Sequence, residues 1–267
     1  MRALHLATVW LALTTSSCFA VTNLDRFDKK AEEATNFNDL RLSVRGMKSH
    51  VAELFEYRIV DSTNTIQSRG FIVPLGGEEA TLFARGAVPK INGPFNLDFY
   101  ADHDNSGGYD QDPANQKDHA WRIPLATQTV NDDGAYVIVF DHNTSFSYLA
   151  NPAPPREVGS AATIRLTNVG SLVGKRVEVR VADASSKRVV GLYRIPVLPD
   201  TTGTVTMTIP GMIEAGVTYA VEVYTDDRVA TPASIKAFRL EQISTQAGLE
   251  VDVDPQTAPV VTDVTPP

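Results

Sequence analysis

Leu97-Asp98-Phe99-Tyr100-Ala101-Asp102 returns later in the chain as Val221-Glu222-Val223-Tyr224-Thr225-Asp226. Both runs alternate apolar with polar residues, the period-two pattern of a strand with one face in a core. Around them, Leu54-Phe55-Glu56-Tyr57-Arg58-Ile59-Val60-Asp61 returns as Arg176-Val177-Glu178-Val179-Arg180-Val181-Ala182-Asp183. Ala120-Trp121-Arg122-Ile123 returns as Ala237-Phe238-Arg239-Leu240. One domain is therefore written twice. The shared positions are scaffold: Trp121 and Tyr100 read as core residues and Arg122 as a structural partner. The stretch without a counterpart is the better guide to function, and it runs from Asp102 to Asp110, followed by Asp118-His119.

Working outward, each copy contains seven short β-like runs separated by turn residues. In copy one they fall near 40–45, 53–61, 67–73, 80–85, 95–101, 119–124 and 135–141. In copy two they fall near 164–166, 177–181, 189–195, 204–209, 219–224, 236–240 and 249–253. This predicts an all-β chain of two tandem seven-stranded antiparallel β-sandwich domains, Ig-like or transthyretin-like. Residues 39–254 resemble the tandem transthyretin-like or Ig-like sandwich repeats of exported bacterial proteins. The resemblance implies a fold and a surface location, not a reaction, because such sandwiches host many functions. An antibody-type domain is excluded, since the Cys…Trp…Cys pattern is missing.

The expected organisation is a signal peptide over 1–20, a tether over 21–37, the first sandwich over 38–150, a Pro-rich linker over 151–160, the second sandwich over 161–254 and a disordered tail over 255–267. In the first segment, Arg2 precedes an apolar stretch from Leu4 to Leu13 that is too short to span a bilayer. Small residues ending at Ala20 offer a cleavage site. Cys18, the only cysteine, stands where a lipobox cysteine would, which leaves two outcomes open: cleavage after Ala20, or a lipid anchor on Cys18. Either way the mature fold has no disulfide. The expected location is periplasmic, tethered to the outer membrane, or extracellular, with no transmembrane segment.

Formal net charge is -8, and no basic cluster is present, which argues against a nucleic-acid partner. Asp102, Asp104 and Ser106 with Gly107 follow the start of a calcium loop, D-x-[DN]-x-[DNS]-G. Alternate residues of such a loop aim hard oxygens at one cation. The Gly108 carbonyl and Asp110 continue the ligand series, and Asp118 or Asp112 would replace the final glutamate, because Pro113 stands at its place. This run resembles an EF-hand-type loop over nine residues, set between strands instead of helices. The bland counterpart is a polar turn held by its own hydrogen bonds.

Copy two contains no histidine, whereas copy one contains His50, His103, His119 and His142. If strand direction alternates, starts of even strands and ends of odd strands share one pole. All four histidines then gather there, which predicts a transition-metal site, because imidazole suits Zn2+ or Cu2+ better than Ca2+. No catalytic signature such as G-x-S-x-G or HExxH occurs. The expected function is therefore a non-enzymatic exported protein holding Ca2+ or a transition metal at the loop pole of its first domain. The alternatives are a metal-free structural or adhesive protein facing a surface protein or polysaccharide, and a metal-dependent hydrolase.

Overall fold

The computed structural model describes residues 36–111, 117–151, 153–201, 203–227 and 234–261. The signal and lipid-anchor expectations, including Cys18, fall outside these residues, as do Asp112 and Pro113. Copy one forms β1 (Phe37–Arg45), β2 (Phe55–Val60), β3 (Ile66–Ile72), β4 (Ala80–Pro89), β5 (Asn96–Ala101), β6 (His119–Pro124) and β7 (Ala135–Asp141). Copy two forms β8 (Ser160–Leu166), β9 (Arg176–Asp183), β10 (Val189–Ile195), β11 (Val205–Ile213), β12 (Thr218–Asp227), β13 (Ser234–Ile243) and β14 (Leu249–Val253). A short β15 (Val260–Val261), within the stretch read as a tail, pairs with β13. No helix among the described residues is long and apolar enough to cross a membrane.

The chain is all-β, and its sheets are not all antiparallel. Two three-stranded sheets have the orders β4-β1-β7 and β11-β8-β14, with β1–β7 and β8–β14 parallel. Each copy thus seats its first strand between its fourth and its last, and the last runs the same way as the first. A single nine-stranded sheet, β15-β13-β12-β9-β10-β3-β2-β5-β6, spans both copies. The seam is a parallel pairing of β3 with β10, with Phe71 beside Tyr193 and Gly70 beside Leu192. Apart from β15, the order reads the same outward from that seam in both directions. Sequence periodicity alone places the two sandwiches in tandem. The structure makes them share a sheet, and the described residues of both copies belong to one compact unit.

Alternation along the seam strands decides which face each covering sheet takes. Phe71 joins the core of copy two, whereas its neighbour Ile72 joins the core of copy one. Leu192 of β10 likewise packs into copy one, while a Cβ on Gly191 would come 2.8 Å from Ile209 of copy two. The two small sheets therefore lie on opposite faces of the large one. Close approach is needed at Gly70, where a Cβ would fall 2.4 Å from Tyr57 Cε1 and 3.1 Å from Leu192 Cβ.

Every residue of β2 is buried, although the strand alternates apolar with charged residues. Phe55, Tyr57 and Ile59 face the core of copy one. On the opposite face, Glu56 accepts from Arg58 (2.9 and 2.7 Å) and from Arg69 (2.8 Å). Copy two repeats the device: Glu178 accepts from Arg180 (2.7 Å) and Arg194 (2.6 Å). Tyr100 sits between Glu56 and Ala120 in the sheet, as Tyr224 sits between Glu178 and Ala237. Arg122 holds Asp98 through two bonds of 2.7 Å, and Arg239 holds Glu222. Burial pushes both buried glutamates toward the neutral form, but the paired guanidinium groups win and hold each below the usual carboxylate range.

Candidate metal site

Four separate elements bring the histidines of copy one to one pole. After β1, Gly46 takes φ +69° and turns the chain, and the buried Met47 anchors the segment beyond it. The 3-10 turn Lys48–His50 then carries His50 inward until it is fully buried. His103 lies just beyond β5, and His119 opens β6 opposite Ala101. His142 comes directly after β7, its backbone N–H donating to the Arg45 carbonyl at 2.9 Å. Two of the rings thus approach from strands of the large sheet. His142 comes from the small sheet that covers it.

The ring nitrogens converge. His50 Nε2 lies 3.1 Å from His142 Nε2 and 3.4 Å from His119 Nδ1. His50, His103 and His119 each offer one nitrogen within 4.8 Å of the others'. His103 and His119 stack at 4.7 Å, and Phe146 stacks on the other side of His119 at 4.2 Å. Trp121 walls the pole, 5.9 Å from the His50 ring and 5.6 Å from that of His142, its indole N–H donating to Asn143 O at 3.1 Å.

Glu53 sits behind this group. Its Oε2 is 2.8 Å from His50 Nδ1 and its Oε1 is 2.7 Å from His103 Nδ1. An ionised carboxylate only accepts, so each Nδ1 carries the proton of its bond. In the neutral rings each Nε2 is then a bare lone pair. A carboxylate that fixes the tautomer of a histidine in this way is the usual second partner of a metal ligand. Burial lowers the proton affinity of His119, and nearby His50 and His103 lower it further. His142 is lowered by burial and by His50. Both rings therefore stay neutral, with a free lone pair, to a lower pH than an exposed imidazole.

The aspartate loop lies next to this pole and is built differently. Asp102, Asp104 and Asp118 each offer an oxygen within 4.8 Å of the others'. Those oxygens already accept bonds from the loop. Asp102 takes the Ser106 and Gly107 N–H groups at 3.0 and 2.8 Å, and Asp118 takes those of His103 and Asp110 at 3.0 and 2.6 Å. Ser106 Oγ donates to the Gly108 carbonyl at 2.9 Å, so both of these expected ligands bond each other. Lys117 Nζ stands 2.9 Å from Asp104 and 4.0 Å from Asp110, supplying a positive charge from within the chain. Burial raises the Asp118 pKa, and the nearby charges of Asp102 and Asp104 raise it further.

All four histidines singled out from the sequence stand together, and so do three of the aspartates. Glu53, Trp121 and Phe146 were not assigned to the site from the sequence. Glu53 had a usable signal, since it lies three residues after His50, across a turn closed by its own N–H donating to the His50 carbonyl at 3.2 Å.

No family model matches this chain, and no curated protein matches it. Among solved structures it is similar to the tip fimbrial protein Mfa3 from Porphyromonas gingivalis with C-terminal truncation, at 10% identity and TM-score 0.22, over 76% of this chain and 81% of that one. It is also similar to a mutant of the shaft pilin spaA from Lactobacillus rhamnosus GG, at 8% identity and TM-score 0.22, over 81% of this chain and 96% of that one. Likeness at that level carries no argument about function.

Proposed function

We propose that this is an exported, non-enzymatic β-sandwich protein that holds one divalent transition-metal ion, Zn2+ or Cu2+, on His50, His103, His119 and His142. The observation that carries the reading is the convergence of ring nitrogens in front of a glutamate that orients two of the rings. Metal–nitrogen bonds of about 2.0–2.1 Å in a tetrahedron put neighbouring nitrogens roughly 3.3 Å apart. The separations of 3.1 and 3.4 Å around His50 Nε2 bracket that edge. Nitrogen donors favour Zn2+ and Cu2+ over Ca2+, and Cu2+ binds more tightly of the two. His50, His103 and His119 supply three nitrogens within 4.8 Å of one another, and His142, whose Nε2 lies 3.1 Å from His50 Nε2, would supply the fourth. An ion there joins His142 of the small sheet to His119 of the large one. It cross-links the two layers of a sandwich that has no disulfide.

Elemental analysis and metal titration of the mature protein test this. Trp121 is the only tryptophan apart from Trp10, so its fluorescence reports on the pole. The expected result is one equivalent of Zn2+ or Cu2+, lost in His50→Ala and in His119→Ala and retained in Asp104→Ala. Loss in Asp104→Ala alone, with Ca2+ as the bound ion, would move the site to the aspartate loop. No binding of any of the three ions would leave the metal-free structural or adhesive reading in its place.

A further inference from the structure

At the end of the seam where β3 and β10 both begin, two clefts of about 330 and 360 Å3 open side by side. They are counterparts across the seam. The first is walled by the end of β11 and the start of β12, with Met212, Val217 and Tyr219. The second is walled by the end of β4 and the approach to β5, with Pro89, Ile91 and Phe95. Phe37, Gln67 and Arg188 line both. Arg188 forms the ridge between them.

Arg188 is only partly buried and differs from four of the buried arginines. Arg58, Arg69, Arg180 and Arg194 each hold a carboxylate. Arg188 makes no ion pair among the described residues. Its guanidinium lies over the Phe37 ring at 5.2 Å and donates to the Gln67 carbonyl. Its Nε is shut off from solvent and has no hydrogen-bond partner. Of the acidic groups around the clefts, Asp183 is taken up by the N–H groups of Ser185 and Ser186 and the Ser185 hydroxyl at 2.6–2.9 Å, and Asp61, which lines the second cleft, accepts from the Thr63 and Thr65 N–H groups, the Thr63 hydroxyl and the Gln67 amide at 2.8–2.9 Å. Glu214 lines the first cleft without pairing with Arg188. Partial burial lowers its proton affinity against the pull of Asp183 and Glu214, so an anion reaching the guanidinium from a cleft would supply a charge-assisted partner.

We propose that the clefts flanking Arg188 form a binding site for a small monocarboxylate with an apolar body, its carboxylate on the Arg188 fork and its apolar part against the side chains of one cleft. The planar guanidinium matches a carboxylate's two oxygens. The apolar walls supply the area that fixes the rest of the ligand. Glu214 repels a second negative group, so the site favours one carboxylate over a dianion such as phosphate.

The probe is 4-phenylbutyrate, titrated calorimetrically into the full mature protein, with inorganic phosphate as comparison. Saturable binding of phenylbutyrate is expected, weakened roughly tenfold or more in Arg188→Met, as loss of one charge-assisted bidentate contact requires. Glu214→Gln, at the cleft surface, is expected to tighten it severalfold. If Arg188→Met does not fold, Arg188→Lys and Glu214→Gln decide the matter, since only a carboxylate bound at this fork is weakened by the first and strengthened by the second. The proposal is overturned by absence of saturable phenylbutyrate binding, by unchanged affinity in the folded Arg188 variants, or by tighter binding of phosphate.

Discussion

Replacing Glu53 by glutamine changes almost no volume and tests the metal pole at its most specific point. The carboxylate accepts from His50 Nδ1 at 2.8 Å and from His103 Nδ1 at 2.7 Å. A glutamine has one acceptor oxygen and one donor nitrogen at that place. Whichever ring faces the amide NH2 must move its proton from Nδ1 to Nε2, and it then has no lone pair for a metal. Loss of such an orienting partner lowers metal affinity about 10–100-fold, or roughly 1.4–2.8 kcal/mol. The assay is a competition titration of Zn2+ against a chelator of known affinity, read through Trp121 fluorescence. Circular dichroism of the metal-free variant should be unchanged, because the rings remain packed among Trp121 and Phe146. Wild-type affinity in Glu53→Gln would refute the reasoning, since it would mean that the tautomers of His50 and His103 do not matter to the ion.

Two further outcomes are expected of the sheet. Gly70→Ala puts a methyl group 2.4 Å from Tyr57 Cε1, so the seam must shift; thermal melts should show a loss of about 1–3 kcal/mol. The glutamates of the two networks make the fold acid-sensitive: Glu56 and Glu178 have lowered pKa values in the folded chain, so their pairing stabilises fully above the ordinary carboxylate range and is lost as pH falls through the folded values. Melting temperature measured from about pH 7 to about pH 3 should fall, and fall less steeply in Glu56→Gln, which has already lost that contribution.

The strands were legible in the sequence because each keeps one face in its own core. β6, β7, β10 and β14 have the bounds read from alternation alone. The gathering of the four histidines came from counting strand directions, which needs no knowledge of sheet order. The seam was not legible. Nothing local in Ile66–Ile72 or Val189–Ile195 names its partner, and the glycines that permit close approach there, Gly70 and Gly191, look like ordinary strand interruptions. Residues such as Glu56 and Arg58 read as solvent-facing by their alternation, yet they are buried. Period two reports which side a residue takes, not what covers that side. The aspartate loop matched a ligand spacing, but the same oxygens serve the loop's own N–H groups and Lys117.

The parallel seam also gives the two halves a symmetry. Copy one alone would end its large sheet on β3, a seven-residue edge with open hydrogen-bonding groups. Two such molecules, related by a half-turn about the strand direction, would pair those edges and place their small sheets on opposite faces, which is the arrangement of β3 and β10 here. The chain thus has, within one polypeptide, the two-fold geometry of a homodimer. Because both halves sit in one chain they need not be identical, and they are not: copy one carries four histidines at its pole and copy two carries none.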